Sequence, residues 1–233
     1  MIVKIGNFFF HYRNFFFPVL YATLFIPTPV VFANETLAIV LGLVIIAFGI
    51  TTRCTTIGLE YIVRGGRNRT IYAEKLVTEG IYSICRNPMY LGNLSILLGF
   101  GIFANSALFT FIIFPVYLFI YYAIIKAEED FLFGKFGEEF NVFRKNVHAL
   151  IPKFSKLGSA FKGYSFNWGK VVMKEYNSLF IYFVGLLAIS LYRELINFNL
   201  FLYLVIPISI LYVLVKLIKK SQNAKRRKLE NQL

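Results

Sequence analysis

The sequence has few of the residues that build disulfide frameworks and metal sites. Only two cysteines and two histidines occur among its 233 residues. Cys54 and Cys85 cannot form a disulfide framework, and the isolated His11 and His148 offer no ligand cluster for zinc or haem. Acidic residues are also scarce, at 12 against 25 Lys and Arg. We therefore expect no metal site.

Apolar and aromatic side chains are present in excess. Hydrophobic residues make up 58% of the chain, with 27 phenylalanines, and the mean hydropathy of +0.64 exceeds that of soluble domains. This composition predicts an all-α integral membrane protein. A spanning helix needs about 20 mostly apolar residues. Six stretches qualify as spans: 15–32, 37–54, 89–104, 108–125, 179–192 and 198–217.

Positive charge predicts the orientation of the chain in the membrane. If the six stretches cross the bilayer in turn, all basic residues except Arg193 fall on the same side. Cytoplasmic loops of membrane proteins are enriched in Lys and Arg. We therefore expect a multi-pass protein with both termini in the cytoplasm.

The net charge of +13 has a topological explanation in this bias, so we expect no nucleic-acid partner. The basic run at 225–228, Lys-Arg-Arg-Lys, is best suited to attract anionic lipid head groups. Each Lys or Arg near an anionic bilayer contributes about 1 kcal/mol to such an attraction. The sequence indicates no oligomeric state.

The chain divides by composition into five segments. These are amino-terminal membrane helices at 1–49, a central membrane region at 50–154, a basic connection at 155–177, two further membrane helices at 178–218 and a basic tail at 219–233.

Glycines are expected to break the helices of the central region in two places. The run 64–69, Arg-Gly-Gly-Arg-Asn-Arg, predicts a flexible basic loop after the second span. An aromatic-rich stretch containing Gly134 and Gly137 follows the fourth span. Its spacing predicts a helix through Phe133, a glycine break, and a short interfacial amphipathic helix at 138–146.

Two polar clusters adjoin the apolar spans of this region. Residues 80–92 read Gly-Ile-Tyr-Ser-Ile-Cys-Arg-Asn-Pro-Met-Tyr-Leu-Gly and lead into the third span. The fourth span ends in the run 126–130, Lys-Ala-Glu-Glu-Asp. Together the clusters predict a polar pocket at the membrane surface. Arg86 and Tyr90 would line it from the start of one helix, and the glutamates from the end of the next.

These residues also have structural interpretations. Asn87-Pro88 marks a turn, and proline is favourable in the first turn of a helix. Arg86 can snorkel to the interface or bind a carboxylate or phosphate through two parallel hydrogen bonds. Glu128 and Glu129 can be solvated charges, although carboxylates at a helix C-terminus oppose the macrodipole. Adjacent helical residues project about 100° apart, so at most one of them should contact a given ligand atom.

Two further features favour structure over chemistry. Cys85 adjoins Arg86, whose charge would lower the pKa of the thiol, but we interpret the cysteine as a bystander rather than a nucleophile. Gly99 and Gly101 inside the third span favour close helix packing. No strand precedes these glycines, which argues against a dinucleotide-binding loop.

In their order along the chain, the motifs resemble a known superfamily. They are the 80–92 segment, the Glu-Glu pair at 128–129, Phe-Gly at 136–137 with aromatic residues after it, and Ile-Pro at 151–152. This set is similar to the isoprenylcysteine carboxyl methyltransferase and phospholipid methyltransferase superfamily over about residues 50–154. The chain departs from the family at Asn87, where histidine is usual, and at Phe140 and Phe143, where tyrosine is usual.

The resemblance implies an integral membrane methyltransferase. Its cofactor would be S-adenosylmethionine, bound on the cytoplasmic side, and its acceptor a lipid or lipidated molecule that reaches the site from the bilayer. Arg86 is the catalytic candidate. The implied cofactor-binding residues are Asn87, Pro88, Tyr90, Glu128 and Glu129.

The acceptor is the open question. Transfer of a sulfonium methyl group to oxygen needs alignment and desolvation but no general base. Because the motifs contain no histidine and the loops are basic, we favour an anionic oxygen, either an isoprenylcysteine-like carboxylate or a lipid phosphate. An amine N-methyltransferase, which must deprotonate its acceptor, is one alternative. A nicotinamide-dependent sterol-type reductase and a non-enzymatic membrane scaffold are the others, although such reductases usually have longer chains and a scaffold needs no polar cluster.

Overall fold

The computed structural model describes residues 1–59, 64–67, 70–162 and 164–230. It confirms an all-α membrane protein; within the described residues, one short hairpin is the exception. The helices are α1 (Ile2–Ala22), α2 (Glu35–Gly58), α3 (Pro88–Phe103), α4 (Phe114–Asn146), α5 (Leu157–Ala160), α6 (Trp168–Tyr192) and α7 (Phe198–Glu230). The hairpin pairs β1 (Arg64–Arg67) with β2 (Thr70–Ala73). Two compact units are present, Met1–Phe166 and Asn167–Leu233.

Within the part of the chain that the structure describes, four helical segments are long and apolar enough to cross a membrane. They are Glu35–Gly58, Phe109–Asn146, Trp168–Tyr192 and Phe198–Ala224, and α3 is a shorter apolar helix. The second of them begins with a π-helical turn, Phe109–Ile113, that leads into α4. The count of six spans therefore stays a prediction.

The first helix does not lie where its apolar span was expected. The span at 15–32 is helical only as far as Ala22, with a 3₁₀ turn over Thr23–Phe25. Pro27 and Pro29 explain the end of the helix, because proline lacks an N–H donor and disfavours helical geometry in the residue before it. The helix instead extends back to Ile2, so its first half is more polar than a span.

The sixth helix also begins before the span expected at 179–192. The Asn167 side chain accepts a hydrogen bond from the Lys170 backbone N–H at 2.8 Å and caps a helix that starts at Trp168. This is the usual role of asparagine at a helix N-terminus. Hydropathy marked the apolar part of the helix and missed its polar first turns.

Glycines bring α2 and α3 into backbone contact. A Cβ atom added at Gly49 would lie 2.6 Å from the carbonyl oxygen of Gly92. One added at Gly99 would lie 2.9 Å from the carbonyl oxygen of Gly42. Small residues in this arrangement allow close approach of membrane helices. The geometry agrees with the packing interpretation of Gly99.

Helix α1 packs antiparallel against α4. Gly6 lies against the backbone of Ala123, and the Tyr117 hydroxyl donates to the carbonyl oxygen of Phe17 at 3.0 Å. Between these contacts, Phe10 is buried with two isoleucines of α4. This places the amino-terminal half of α1 beside the middle of α4, where the acidic run at 126–130 lies.

A glycine break divides α4 where the sequence predicted one. Gly137 has φ 54° and ψ −124°, which lies outside the helical region. Glycine adopts such a conformation readily. Residues on both sides of the break pack into one cluster, with Leu132 before it and Phe140 after it. The same cluster includes Leu59 at the end of α2 and Ala73 of β2.

Part of the basic stretch after α2 forms a β-strand. The sequence predicted a flexible loop at 64–69, but residues 64–67 form β1, which pairs antiparallel with β2 from Arg64↔Ala73 to Arg67↔Thr70. Asn68 and Arg69 lie outside the described residues. Burial of Ala73 in the core cluster explains how a glycine-containing strand is held in place.

Exchanging a packed and an unpacked glycine for alanine tests the α2–α3 contact. Gly49→Ala should lower the free energy of unfolding by about 1–3 kcal/mol, because the added methyl group forces the two backbones apart. Gly134 has no neighbouring heavy atom within 4 Å of an added Cβ, so Gly134→Ala should be neutral or stabilising by up to about 1 kcal/mol. Reversible unfolding in mixed detergent micelles measures both. If Gly49→Ala leaves the free energy of unfolding unchanged, the close contact between α2 and α3 is contradicted.

Thiol labelling tests the predicted orientation of α2. Thr36 is exposed near the start of this helix, and exposed Ser165 adjoins Phe166, which bridges to Leu59 after its end. In a chain carrying Cys54→Ala and Cys85→Ala, Thr36→Cys should react with a membrane-impermeant maleimide from outside intact cells. Ser165→Cys should react only after permeabilisation. The opposite labelling pattern would show that α2 crosses the membrane in the other direction.

Candidate active site

The segment before α3 is fixed by pairing with the chain that follows α4. The backbone N–H of Arg86 donates to the carbonyl oxygen of His148 at 3.0 Å, and that of Asn87 donates to Ala149 at 3.1 Å. The Asn87 side-chain amide also donates to Ala149 at 3.2 Å. The polar loop of the first motif, residues 80–92, contains a 3₁₀ turn over Gly80–Ser83 and is tied to the chain after α4 by these hydrogen bonds.

Asn87 and Pro88 begin α3. The Asn87 carbonyl oxygen accepts hydrogen bonds from the backbone N–H groups of Tyr90 and Leu91, both at 3.0 Å. Pro88 occupies the first turn and is almost fully buried. Both residues have the structural roles that the Asn-Pro turn predicts. Both directly follow Arg86 in the chain.

Arg86 joins three parts of the chain through its buried guanidinium group. Nη2 donates to Glu129 Oε1 at 2.5 Å. Nη1 donates to the carbonyl oxygens of Arg144 and Val147, at 2.7 and 2.5 Å. The last carbonyls of a helix lack partners within that helix. Arg86 therefore satisfies the end of α4 while pairing with a carboxylate from before the Gly137 break.

Glu129 is buried between two cations. Its second oxygen, Oε2, accepts a hydrogen bond from Lys126 Nζ at 2.9 Å, and only 6% of the residue surface is exposed. Removing one partner of a buried ion pair typically destabilises a protein by about 3–5 kcal/mol. We therefore assign Glu129 a large structural contribution.

Glu128 is half-buried and contacts the first motif separately. Its Oε1 accepts a hydrogen bond from the Tyr90 hydroxyl at 2.5 Å, and the Tyr90 ring lies 5.3 Å from that of Tyr121. The two adjacent glutamates diverge, as their helical positions require. The structure thus brings together Arg86, Tyr90 and both glutamates, which lie some 40 residues apart in sequence.

Cys85 is a buried donor beside this site. Burial raises the pKa of the Cys85 thiol to about 11, although the Asn87 backbone N–H and the charge of Arg86 act to lower it. The neighbouring Arg86 predicted a lower pKa for this thiol, but the larger, opposite effect of desolvation could not be predicted from the sequence. The protonated thiol donates to the carbonyl oxygen of Ala149 at 3.2 Å, in agreement with the bystander interpretation.

Arg53 and Asn93 are polar contacts that sequence reasoning missed. Arg53 lies on α2 with 8% of its surface exposed, and its Nη1 donates to Asn93 Oδ1 on α3. One signal was available: an arginine stands inside the span at 37–54, where ionisable residues are rare and commonly functional. Asn93 follows Gly92 directly at the end of the first motif.

No group of three His, Cys, Asp or Glu side chains in the described ranges is arranged to hold a metal ion.

Comparisons with known proteins match the central region of the chain. Residues 37–139 match the model of the phospholipid methyltransferase family. The cobalt-zinc-cadmium resistance protein CzcN of Cupriavidus metallidurans is 34% identical over 93 residues, which cover 40% of each chain. The nickel-cobalt-cadmium resistance protein NccN of Alcaligenes xylosoxydans xylosoxydans is 32% identical over 83 residues, covering 36% of this chain and 38% of that protein.

A third relative carries an enzyme name. The protein-S-isoprenylcysteine O-methyltransferase of Schizosaccharomyces pombe is 32% identical over 97 residues, covering 40% of this chain and 38% of that enzyme. The chain thus spans about two fifths of the length of the curated relatives it matches. No solved structure matches the chain significantly.

The family match includes Arg53, the whole of the first motif and both glutamates, whereas α1, α6 and α7 lie outside it. The resemblance to the isoprenylcysteine carboxyl methyltransferase and phospholipid methyltransferase superfamily is thereby confirmed, and within this all-α membrane protein it lies in residues 37–139, which match the phospholipid methyltransferase family model.

Proposed function

We propose that this chain transfers a methyl group from S-adenosylmethionine to a lipid or lipidated acceptor that reaches the site from the bilayer. The observation that carries the proposal is the meeting of two motifs of the family-matched region through paired contacts, Tyr90 with Glu128 and Arg86 with Glu129. The half-buried Glu128 carboxylate accepts a hydrogen bond from Tyr90, whose ring lies next to that of Tyr121, so a carboxylate and two aromatic rings adjoin the apolar part of α4.

The residues present fit the chemical groups of S-adenosylmethionine. Its hydroxyl and amino groups are hydrogen-bond donors, for which a carboxylate is a strong acceptor. Its sulfonium cation is attracted to carboxylates and to the faces of aromatic rings, and Tyr90 and Tyr121 supply two such rings. Among the two glutamates, Glu128 is the more exposed. We assign Glu128 and Tyr90 to direct contact with the cofactor.

Arg86, Asn87 and Glu129 complete the proposed pocket. Glu129 is held by two cations, so its role is to fix Arg86 and the helix end rather than to bind the cofactor. Asn87 and Pro88 form the loop wall next to Arg86 and remain candidate cofactor contacts. Arg86 contributes positive potential next to the reacting groups, which favours the approach of an anionic acceptor.

When bound, S-adenosylmethionine supplies a methyl group already activated on a sulfonium sulfur. The chain then has to align the acceptor oxygen and exclude water. A carboxylate or phosphate acceptor needs no general base. The site offers no histidine at position 87, and the raised pKa of Cys85 keeps its thiol protonated at neutral pH. These features favour an isoprenylcysteine-like carboxylate or a lipid phosphate as the acceptor.

We further propose that the site faces the cytoplasm, on the side where the positive-inside bias places the loops next to α3 and α4. Anionic lipid head groups near the basic run at 225–228 would hold the tail at the same surface.

Exchanging each glutamate for glutamine should separate their roles. Glu128→Gln should weaken binding of S-adenosylmethionine by about 10- to 150-fold, through loss of a charge-assisted hydrogen bond of about 1.5–3 kcal/mol, with little change in stability. Glu129→Gln should lower the free energy of unfolding by about 3–5 kcal/mol, because it leaves Arg86 and Lys126 without their carboxylate. Calorimetric titration and thermal unfolding of the purified chain measure the two effects. Equal effects of both variants on cofactor binding would refute this division.

Isotope labelling identifies the acceptor. With methyl-labelled S-adenosylmethionine, the label should appear on an acidic lipid or a prenylcysteine carboxylate, and the rate should change little between about pH 6 and 9, because neither carboxylates nor phosphodiesters titrate there. An amine acceptor predicts a rate that rises about tenfold per pH unit as the free amine accumulates. Label on ethanolamine nitrogen together with that rise would show that the acceptor is an amine.

A further inference from the structure

We propose that the helix pair α6–α7 binds the head group of an anionic phospholipid through Lys216 and Lys219, which lie over stacked tyrosine rings at the end of the apolar spans. The helix pair belongs to the second compact unit and lies outside the family match at 37–139, so the assignment does not depend on the proposed methyl transfer. It is also separate from the attraction proposed for the tail run at 225–228.

Three aromatic rings form a stack between α6 and α7. The Tyr212 ring of α7 stacks on that of Phe180, with centroids 4.3 Å apart, and on that of Tyr176, with centroids 5.5 Å apart. The Tyr212 hydroxyl donates to Asn177 Oδ1 at 2.8 Å. Ring contacts and a hydrogen bond therefore join the two helices at this level and hold the stack in place.

Two lysines of α7 hold their ammonium groups over this aromatic stack. Lys216 Nζ lies 5.7 Å from the Tyr212 centroid, and Lys219 Nζ lies 4.8 Å from the Tyr176 centroid. Lys219 Nζ also donates to the carbonyl oxygen of Met173 at 2.8 Å, which uses one of the three donors of an ammonium group. Helical residues three apart share a face, so both ammonium groups offer donors to one surface patch.

The stack marks the level at which both helices change from charged to apolar. Helix α6 carries no charged residue after Glu175, which directly precedes Tyr176. Helix α7 carries none before Lys216, one turn after Tyr212. Tyrosine is enriched at the membrane–water interface, and lysine side chains reach that interface from helix ends. The patch therefore lies at the height of lipid head groups.

The charge at this level favours an anionic occupant. The facing ends of the two helices carry one acid, Glu175, and five lysines, at positions 170, 174, 216, 219 and 220. Only 3% of Glu175 is exposed, whereas Lys174, Lys216 and Lys220 are exposed. Basic groups between membrane helices on the cytoplasmic side bind anionic head groups, and the predicted orientation places this end of both helices on that side.

The apolar surface next to the lysines favours a lipid over a soluble anion. Val213 and Leu217 lie on either side of Lys216 in the chain, and both are exposed. In the described part of α7, no residue of the apolar window is buried. The acyl chains of a phospholipid can therefore lie along the same helix whose lysines bind its phosphate.

Trp168 provides a signal for lipid binding at this helix pair. It is the only tryptophan of the chain, is 70% exposed, and precedes Tyr176 on α6 by a rise of about 12 Å. Energy transfer from Trp168 to dansyl-labelled phosphatidylglycerol measures binding to the full chain in maltoside micelles. Displacement by unlabelled dioleoylphosphatidylglycerol or dioleoylphosphatidylcholine gives the affinity for each lipid. We expect the anionic lipid to bind about tenfold or more tightly, because each lysine contributes about fivefold.

Exchanging lysines on different faces of α7 tests which of them bind the head group. Lys216→Gln should lower the affinity for phosphatidylglycerol by about fivefold, and Lys216→Arg should keep it. Lys220→Gln is the matched control. It removes the same charge from a face about 100° away from Lys219 and should change the affinity by less than about twofold. The affinity for phosphatidylcholine should stay the same in all three variants, which shows that they are folded.

Four results would overturn the assignment. Equal affinity of the wild type for the two lipids would show that the head group is not recognised. Equal losses in Lys216→Gln and Lys220→Gln would show attraction to net charge alone. Displacement by glycerophosphoglycerol, which lacks acyl chains, at the concentrations at which the lipid displaces would show a soluble-anion site. A preference kept in Lys216→Gln but lost when the run at 225–228 is replaced by glutamines would assign the attraction to the tail.

Discussion

The buried ion pair between Arg86 and Glu129 is the interaction on which the candidate site depends. Two charges removed from water are stabilised by their mutual attraction and by further hydrogen bonds. Arg86 pairs with Glu129 through Nη2 and donates through Nη1 to the last carbonyls of α4, which follow the break at Gly137. The loop before α3, the helix before the break and the helix after it are therefore fixed together. Without this pair, Tyr90 would not be held next to Glu128.

The first motif, residues 80–92, and Asn93 directly after it make polar contacts with two different helices. Arg86 and Tyr90 reach α4, whereas Asn93 receives Arg53 from α2. Glycine contacts between α2 and α3 bring the helices close enough for the Arg53 stem to fit. The motif thus organises the pocket on two sides. The match to a methyltransferase family favours methyl transfer in this pocket over the reductase and scaffold alternatives.

Much of this arrangement could be predicted from the sequence, because its signals are local. Apolar length identified the membrane class, and Gly137 marked the helix break. Other features depend on tertiary contacts. The ordering of residues 64–67 requires pairing with β2, and the extension of α1 back to Ile2 reflects packing of Gly6 on α4. The separate roles that we propose for the two glutamates, both predicted from the sequence as cofactor ligands, rest on the different partners that the folded chain brings to each.

We infer that Tyr90 and Glu128 act together in binding S-adenosylmethionine. A double-mutant cycle measures the coupling between the two residues. Calorimetric affinities of the wild type, Tyr90→Phe, Glu128→Gln and the double variant give the coupling free energy for cofactor binding. Because the two side chains share a hydrogen bond, we expect a coupling of about 0.5–3 kcal/mol. Effects that add independently, or a wild-type chain that does not bind S-adenosylmethionine, would contradict it.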